Sequence, residues 1–129
     1  MMNLHGALLL VSGVYCGLGV VLGAFAAHAL KTRLPVNLLS AFETGVHYQF
    51  IHGLAVMGIV ILAKLFPHGM WQWAGVAMAI GVLLFSGSLY MLALTGIKWF
   101  GPITPIGGLA FIVGWILFLM AVVKSGALS

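Results

Sequence analysis

The stretch that decides the fold is residues 4–30, which read LHGALLLVSGVYCGLGVVLGAFAAHAL without a single Asp, Glu, Lys or Arg. A helix needs about 20 apolar residues to cross the hydrocarbon core of a bilayer. Backbone N–H and C=O groups in that core must bond within their own segment or in a closed barrel. Barrel strands alternate apolar and polar residues over about ten positions, whereas this stretch is continuously apolar. It therefore predicts a membrane-spanning helix.

The rest of the chain has the same apolar character. Its 129 residues are 64% hydrophobic and 5% charged, with a mean hydropathy of +1.25. A soluble domain carries about 25% charged residues because its surface faces water. Five basic residues and one acidic residue, Glu43, are too few for such a surface. We therefore expect the lipid bilayer to be the solvent of this protein and its first partner.

Three further apolar stretches follow the first. We predict spanning helices at about residues 4–30, 40–66, 70–96 and 105–123, all within a single membrane domain, residues 1–129. The predicted fold class is an all-α membrane protein, a four-transmembrane-helix bundle, located as a multi-pass protein in the cell membrane. The basic residues are scattered between the spans, which is typical of loop charges and excludes the clustered surface that binds nucleic acid.

Local signals predict where two of the helices begin. Pro35 suits the first turn of the second helix, and Ser40 followed by Glu43 fits a capping box. That helix is therefore expected to begin between Pro35 and Ser40. Thr104 followed by Pro105 similarly predicts a cap and a first turn at the start of span four.

Small residues predict how the helices associate, because hydrophobicity does not hold spans together in lipid. Gly13 with Gly17, and Gly19 with Gly23, form small-xxx-small pairs in span one. Spans three and four carry comparable residues, namely Ala79, Gly81, Ser86, Gly87 and Ser88 in the third and Gly107, Gly108 and Gly114 in the fourth. We expect these positions to let helix backbones approach closely in a compact bundle.

Polar residues concentrate in one segment of span two, residues 43–52, which read ETGVHYQFIH. Glu43 and His47 share one face of the helix, and Tyr48 and His52 lie on a neighbouring stripe. A charged residue at the bilayer centre costs about 2.5–3.5 kcal/mol, so such residues usually face the bundle interior and have a role. The candidate polar site within the membrane comprises His28, Glu43, His47, Tyr48, Gln49, His52, Ser86, Ser88, Tyr90 and Thr104.

Two interpretations of this polar site are open. In the first, Glu43 and His47 share a proton, with His28 or His5 of span one approaching them, and the site moves a proton or a substrate. In the second, the polar side chains only hydrogen-bond neighbouring helices, and Glu43 is a capping residue near the interface with its charge solvated. Packing also explains Ser86, because the sequence offers no nearby base to make a serine nucleophilic.

Five histidines in so short a chain raise the question of haem or metal. Haem requires one or two His ligands, and His28 and His52 are a pair that could face each other across spans one and two. No Cys-x-x-Cys-His, Glu-x-x-His or HExxH motif is present. We therefore expect no metal, no cofactor and no catalytic residues, and the protein is not expected to be an enzyme.

Four ordered motifs resemble a known family. They are residues 23–30 (GAFAAHAL), 42–52 (FETGVHYQFIH), 85–90 (FSGSLY) and 103–108 (ITPIGG). Together they look like the uncharacterised membrane family known as domain of unknown function 423, or transmembrane protein 256-like, over essentially the full chain. Ala26 is one departure, since the family pattern usually shows Gly there.

The resemblance implies a multi-pass membrane protein, found in bacteria and in related form in eukaryotes, with no established activity. Three functional hypotheses follow from the residues and the resemblance together. The main one is a structural or accessory component of the membrane, as a homo-oligomer or within a larger membrane complex. The alternatives are a small proton-coupled transporter that uses the Glu/His stripe of helix two, and a haem- or quinone-binding redox component.

Overall fold

The computed structural model describes residues 2–129 and is helical throughout apart from short connections. The four long helices are α1 (Leu4–His28), α2 (Val36–Leu65), α3 (Gly69–Thr95) and α4 (Ile103–Lys124). All four are long and apolar enough to cross a membrane. The predicted fold class, an all-α protein with four transmembrane helices, is therefore confirmed.

The helix ends differ from two sequence predictions. Helix α2 begins directly after Pro35, and no side chain caps it. The predicted start between Pro35 and Ser40 is therefore confirmed, although Pro35 itself is extended (ψ 153°) and precedes the first turn. The predicted capping box of Ser40 and Glu43 is wrong, because Ser40 lies a full turn inside the helix. The predicted cap at Thr104 is also wrong: α4 begins at Ile103 without a side-chain cap, which places Thr104 inside its first turn.

Two other side chains do cap helices. The Oδ1 of Asn3 accepts a hydrogen bond from the Gly6 amide at 2.8 Å at the start of α1. The Nδ1 of His68 accepts one from the Met70 amide at 3.0 Å at the start of α3. Each bond satisfies a backbone donor that has no partner within its own helix.

Helix α3 lies at the centre of the bundle and packs extensively against both α2 and α4, whereas α1 packs mainly against α2. Two buried apolar clusters occupy opposite ends of the bundle. One is built around Trp71, Met78 and Ile59, and the other around Phe42 and Ala93. Polar side chains fill the level between the clusters, and they carry most of the candidate site.

Small residues spaced seven apart form the contact between α3 and α4, which we call the small-residue seam. Its buried members are Ala74, Gly81 and Ser88 on α3, and Gly107, Gly114 and Ala121 on α4. A side chain on Gly107 would place its Cβ only 2.3 Å from the backbone nitrogen of Phe85. The predicted close approach of spans three and four therefore takes place, and it depends on the missing Cβ atoms.

The two glycine pairs of α1 have different surroundings. A Cβ on Gly19 would lie 2.9 Å from the Phe50 ring of α2, and one on Gly23 would lie 3.5 Å from Val46. Among the described residues, a Cβ on Gly13 or on Gly17 would meet nothing within 4 Å. The first pair therefore packs against α2, whereas the expectation that Gly13 and Gly17 pack within the bundle is wrong, because they lie on the outer face of α1.

Candidate functional site

Gln49 joins three helices at the middle level of the bundle. Its side-chain NH₂ group donates to the backbone oxygen of Tyr15 on α1 at 2.8 Å, and its side-chain oxygen accepts from the Tyr90 hydroxyl of α3 at 2.6 Å. The Tyr15 hydroxyl in turn donates to the backbone oxygen of Ala79 on α3 at 2.7 Å. Because Gln49 is only 2% exposed, these bonds stabilise the contact of α1, α2 and α3 where water is absent.

Two serines of α3 bond to the helices on either side. The Ser86 hydroxyl donates to the backbone oxygen of Gly45 on α2 at 2.7 Å. The Ser88 hydroxyl donates to the Phe85 oxygen at 2.9 Å and lies 2.6 Å from the Thr104 hydroxyl of α4. Since Ser88 has a single hydroxyl proton, Thr104 is the donor of that second bond. The packing interpretation of both serines therefore agrees with their geometry.

His52 connects α2 to α4 through both of its ring nitrogens. The Nδ1 lies 2.9 Å from the Tyr48 backbone oxygen, which can only accept, and the Nε2 lies 3.0 Å from the indole N–H of Trp115, which can only donate. His52 is therefore the neutral tautomer with its proton on Nδ1. Its ring also stacks on Phe111, with centroids 3.6 Å apart. Neither nitrogen is left to bind a metal or to accept a proton without losing a bond.

Glu43, His47 and His28 lie on the outside of the bundle. Glu43 and His47 both line a surface pocket of about 210 Å³ between α1 and α2, and no hydrogen bond joins their side chains within residues 2–129. Glu43 lies about 10 Å along α2 from Val36, and the helix is about 15 Å longer than the hydrocarbon core. The carboxylate is therefore within reach of the headgroup region, although Glu43 is not a cap.

The pair of histidines that a haem would need does not form. Cys16 lies against Gly53 and Gly19 against Phe50 in the antiparallel contact of α1 with α2. This register places His28 about eleven residues, or about 17 Å, along the helix axis from His52. Within residues 2–129, no three His, Cys, Asp or Glu side chains come together as a metal site would require.

Sequence reasoning missed two partners of the polar site, Tyr15 and Trp115. Both lie near the middle of their helices rather than at the interface, where Tyr and Trp are usually enriched in membrane proteins. A Tyr or Trp at that depth normally has a partner for its O–H or N–H group. The depth of Tyr15 and Trp115 was therefore a usable signal.

A groove open to lipid separates α2 from α4, and Phe85 of α3 forms part of its floor. Its volume is about 600 Å³, and the side chains of Tyr48 on α2 and Trp115 on α4 are exposed in it. The Trp115–His52 hydrogen bond crosses between its two walls. The residues that line the groove are His47, Tyr48, Ile51, His52, Phe85, Pro105, Gly108, Leu109, Phe111, Ile112 and Trp115.

These features define a class: a small multi-pass membrane protein of four helices whose interior polar groups are hydrogen-bonded between helices. Comparison with known proteins then gives the family. The family model described as protein of unknown function (DUF423) matches residues 22–108. The chain belongs to this family, as the four sequence motifs indicated.

The relatives are bacterial membrane proteins of similar length. The UPF0382 membrane protein YwdK of Bacillus subtilis is 46% identical over 108 residues, which cover 83% of this chain and 88% of YwdK. The UPF0382 membrane protein SH2409 of Staphylococcus haemolyticus is 42% identical over 91% of this chain and 96% of its own length. The UPF0382 inner membrane protein YgdD of Escherichia coli is 37% identical over 81% of this chain and 80% of its own.

No solved structure matches the chain significantly. The names of the relatives and the four apolar helices agree on location, so this chain is a multi-pass protein of the cell membrane. Its description as a membrane protein of a family without known activity is likewise confirmed.

Proposed function

We propose that this protein is a structural or accessory component of the cell membrane, acting through contacts with lipid and with other membrane helices and not through catalysis or transport. The observation that carries the proposal is the use of its interior polar groups. Gln49, His52 and Ser86 each bond to a neighbouring helix, as do Ser88 and Tyr90. Residues that hold helices together in this way are not free to bind a substrate or a proton.

The transporter alternative has less support because His52, the innermost of its residues, already holds two hydrogen bonds. Glu43 and His47 face the outside of α2, whereas His52 is buried against α4 and bonded through both nitrogens. A proton path from Glu43 to His52 would run along the lipid-facing side of α2 past His47 and Tyr48, and it would end at a ring whose two nitrogens are already bonded. The haem alternative has less support because both ring nitrogens of His52 are hydrogen-bonded and neither is free to bind iron.

The outer face of α1 is the surface on which a partner helix would pack. Gly13 and Gly17 are exposed there, and no atom of the part of the chain that the structure describes lies within 4 Å of where a Cβ on either would be. Each glycine lowers the stability of its helix by about 1 kcal/mol relative to alanine, and no contact among residues 2–129 offsets that cost. A second helix, from another copy or from a larger complex, gains close backbone contact at such a pair.

The first test measures whether the protein is purified as an assembly and whether that assembly depends on Gly17. The wild type and Gly17→Leu are each purified in mild detergent from the native membrane, and the mass and stoichiometry of the retained assembly are measured. We expect a defined assembly for the wild type and its loss for Gly17→Leu. Gly58→Leu is the control, since Gly58 of α2 also has no neighbour within 4 Å.

Proteoliposomes provide the opposing measurement. We expect the purified protein to carry no proton flux above that of empty vesicles under an imposed pH gradient. A flux that disappears in Glu43→Gln would refute the accessory role and favour the transporter. A monomeric wild type, or a Gly17→Leu assembly with the same mass as the wild type, would refute the partner surface on α1.

A further inference from the structure

We propose that the groove between α2 and α4 binds an isoprenoid quinone, a lipid-soluble molecule with a flat ring and two carbonyl oxygens. The inference goes beyond the accessory role and does not depend on it, because the outer face of α1 and this groove are separate surfaces. It concerns binding alone and includes no electron transfer.

The groove extends from Pro105, close to the start of α4, to Trp115, close to the middle of the bilayer. Tyr48 is twelve residues after the start of α2 and Trp115 twelve after the start of α4, so both lie about 18 Å along the axis from the first residue of their helices. The volume of about 600 Å³ is within the range of about 300–1,000 Å³ that small-molecule sites occupy. A ligand of this groove must therefore be soluble in the hydrocarbon core.

The groove contains a hydrogen-bond donor that has no partner among the described residues, the hydroxyl of Tyr48. The hydroxyls of Tyr15 and Tyr90 donate to Ala79 and Gln49, but the Tyr48 hydroxyl bonds no group within residues 2–129, and its side chain is 37% exposed. His47, one residue before it, also lines the groove and is exposed. A polar group without a partner is costly in hydrocarbon. A ligand with acceptor oxygens removes that cost.

The walls of the groove are suited to a flat ring. Tyr48 and Trp115 present partly exposed aromatic side chains at 37% and 38%. The Trp115 indole is fixed in place because its N–H bonds to His52, and the Tyr48 ring is fixed against Phe85 with centroids 4.6 Å apart. Rigid aromatic surfaces favour stacking with a conjugated ring over contact with a flexible chain.

Ordinary phospholipids do not combine these features. Their acyl chains reach the middle of the bilayer but carry no acceptor there, and their headgroups remain at the surface. An isoprenoid quinone brings carbonyl oxygens and a flat ring into the hydrocarbon core on one tail. Donors in Tyr48 and His47 beside aromatic walls therefore match a quinone better than any acyl chain.

The experiment measures quinone binding in phosphatidylcholine nanodiscs prepared without native quinone. A short-chain ubiquinone and a short-chain menaquinone are titrated separately while tryptophan fluorescence is recorded. Quinones quench indole, and the difference between the wild type and Trp115→Phe isolates the signal of the groove from the other three tryptophans. We expect a saturable quenching component for at least one of the two quinones.

Three variants decide the location of the site. Gly108→Leu fills the groove, and we expect it to abolish the saturable component; Gly58→Leu makes the same substitution at an open position and should leave affinity within twofold of the wild type. Tyr48→Phe removes only the hydroxyl, and we expect the Kd to rise roughly five- to tenfold. Thermal unfolding in the same nanodiscs checks that each variant is folded.

Competition decides the chemistry. An isoprenoid alcohol with the same tail but no ring should fail to displace the quinone. Equal displacement by that alcohol, retention of affinity in Gly108→Leu, or quenching that never saturates would each overturn the proposal. A stable dimer that buries Trp115 in a folded wild type would overturn it as well. None of these results affects the partner and flux measurements that test the accessory role.

Discussion

Replacing Gly107 by alanine tests the small-residue seam most directly. The new Cβ would lie 2.3 Å from the backbone nitrogen and 2.7 Å from the Cα of Phe85, whereas ordinary contacts begin near 3.4 Å. Backbone atoms cannot rotate away as a flexible side chain can, so α3 and α4 must separate at this level. The Thr104–Ser88 hydrogen bond, less than one turn away, must lengthen with them.

The expected loss of unfolding free energy in Gly107→Ala follows from a comparison with the same substitution at Gly108. A Cβ on Gly108 would lie 3.8 Å from the Phe85 ring, which is an ordinary contact. Both substitutions gain up to about 1 kcal/mol of helix propensity, so this gain cancels between them. The remaining difference is the cost of overpacking, and we expect Gly107→Ala to be less stable than Gly108→Ala by about 1–3 kcal/mol.

The assay is reversible unfolding in mixed micelles at increasing mole fraction of dodecyl sulfate, followed by circular dichroism and tryptophan fluorescence. The wild type and Gly114→Ala complete the set, because a Cβ on Gly114 would lie 2.7 Å from Cγ of Met78 but no nearer than 3.3 Å to a backbone atom of α3. We expect Gly114→Ala to fall between the other two variants. Equal stabilities for Gly107→Ala and Gly108→Ala would refute the close backbone contact and the seam with it.

Three further predictions concern the polar bonds. A double-mutant cycle of Gln49→Ala and Tyr90→Phe should give a coupling free energy of about 0.6–1.7 kcal/mol in the unfolding assay; a coupling of zero would mean that the two side chains do not bond. His52→Ala should lower the free energy of unfolding more than His68→Ala. The His52 variant loses a stacked ring and two hydrogen bonds, whereas the His68 variant loses one helix cap worth about 0.5–2 kcal/mol. Equal losses of unfolding free energy would contradict this order. Ser86→Ala should lower the free energy of unfolding by about 1 kcal/mol and leave the helical content in circular dichroism unchanged. The substitution removes one hydrogen bond between α3 and α2 without creating a new cavity. A loss of helical content would contradict the interpretation that Ser86 only joins the two helices.

Much of the fold follows from the sequence, because a bilayer leaves a long apolar segment few alternatives to a helix. The helix ends were harder to predict. Ser40 and Glu43 have the spacing of a capping box, but α2 begins a full turn earlier, at Val36 directly after Pro35, so both residues lie inside the helix. The sequence also does not reveal which glycine pair faces the bundle: Gly13 and Gly19 are equally apolar, and only the docking of α2 distinguishes them.

The candidate site was predicted as a set of residues but not as an arrangement. Gln49 and His52 stand out because burying a polar group in lipid is costly, and the structure places both in bonds between helices. For Glu43 and His47 the sequence leaves both an interior and a surface position open, since position on a helical wheel fixes a face without fixing what covers it. The roles of Tyr15 and Trp115 required the partners that only the tertiary structure supplies.

Because small residues recur every seven positions in the small-residue seam, the seam alone does not fix the axial position of α4 along α3. If α4 slid along α3 by one repeat, about 10.5 Å, small residues would again meet small residues and the steric fit would survive. Thr104 would then no longer meet Ser88, and Trp115 would leave His52 behind. The hydrogen bonds of Thr104 with Ser88 and of Trp115 with His52 therefore fix the axial position of α4, which the steric fit alone would not determine.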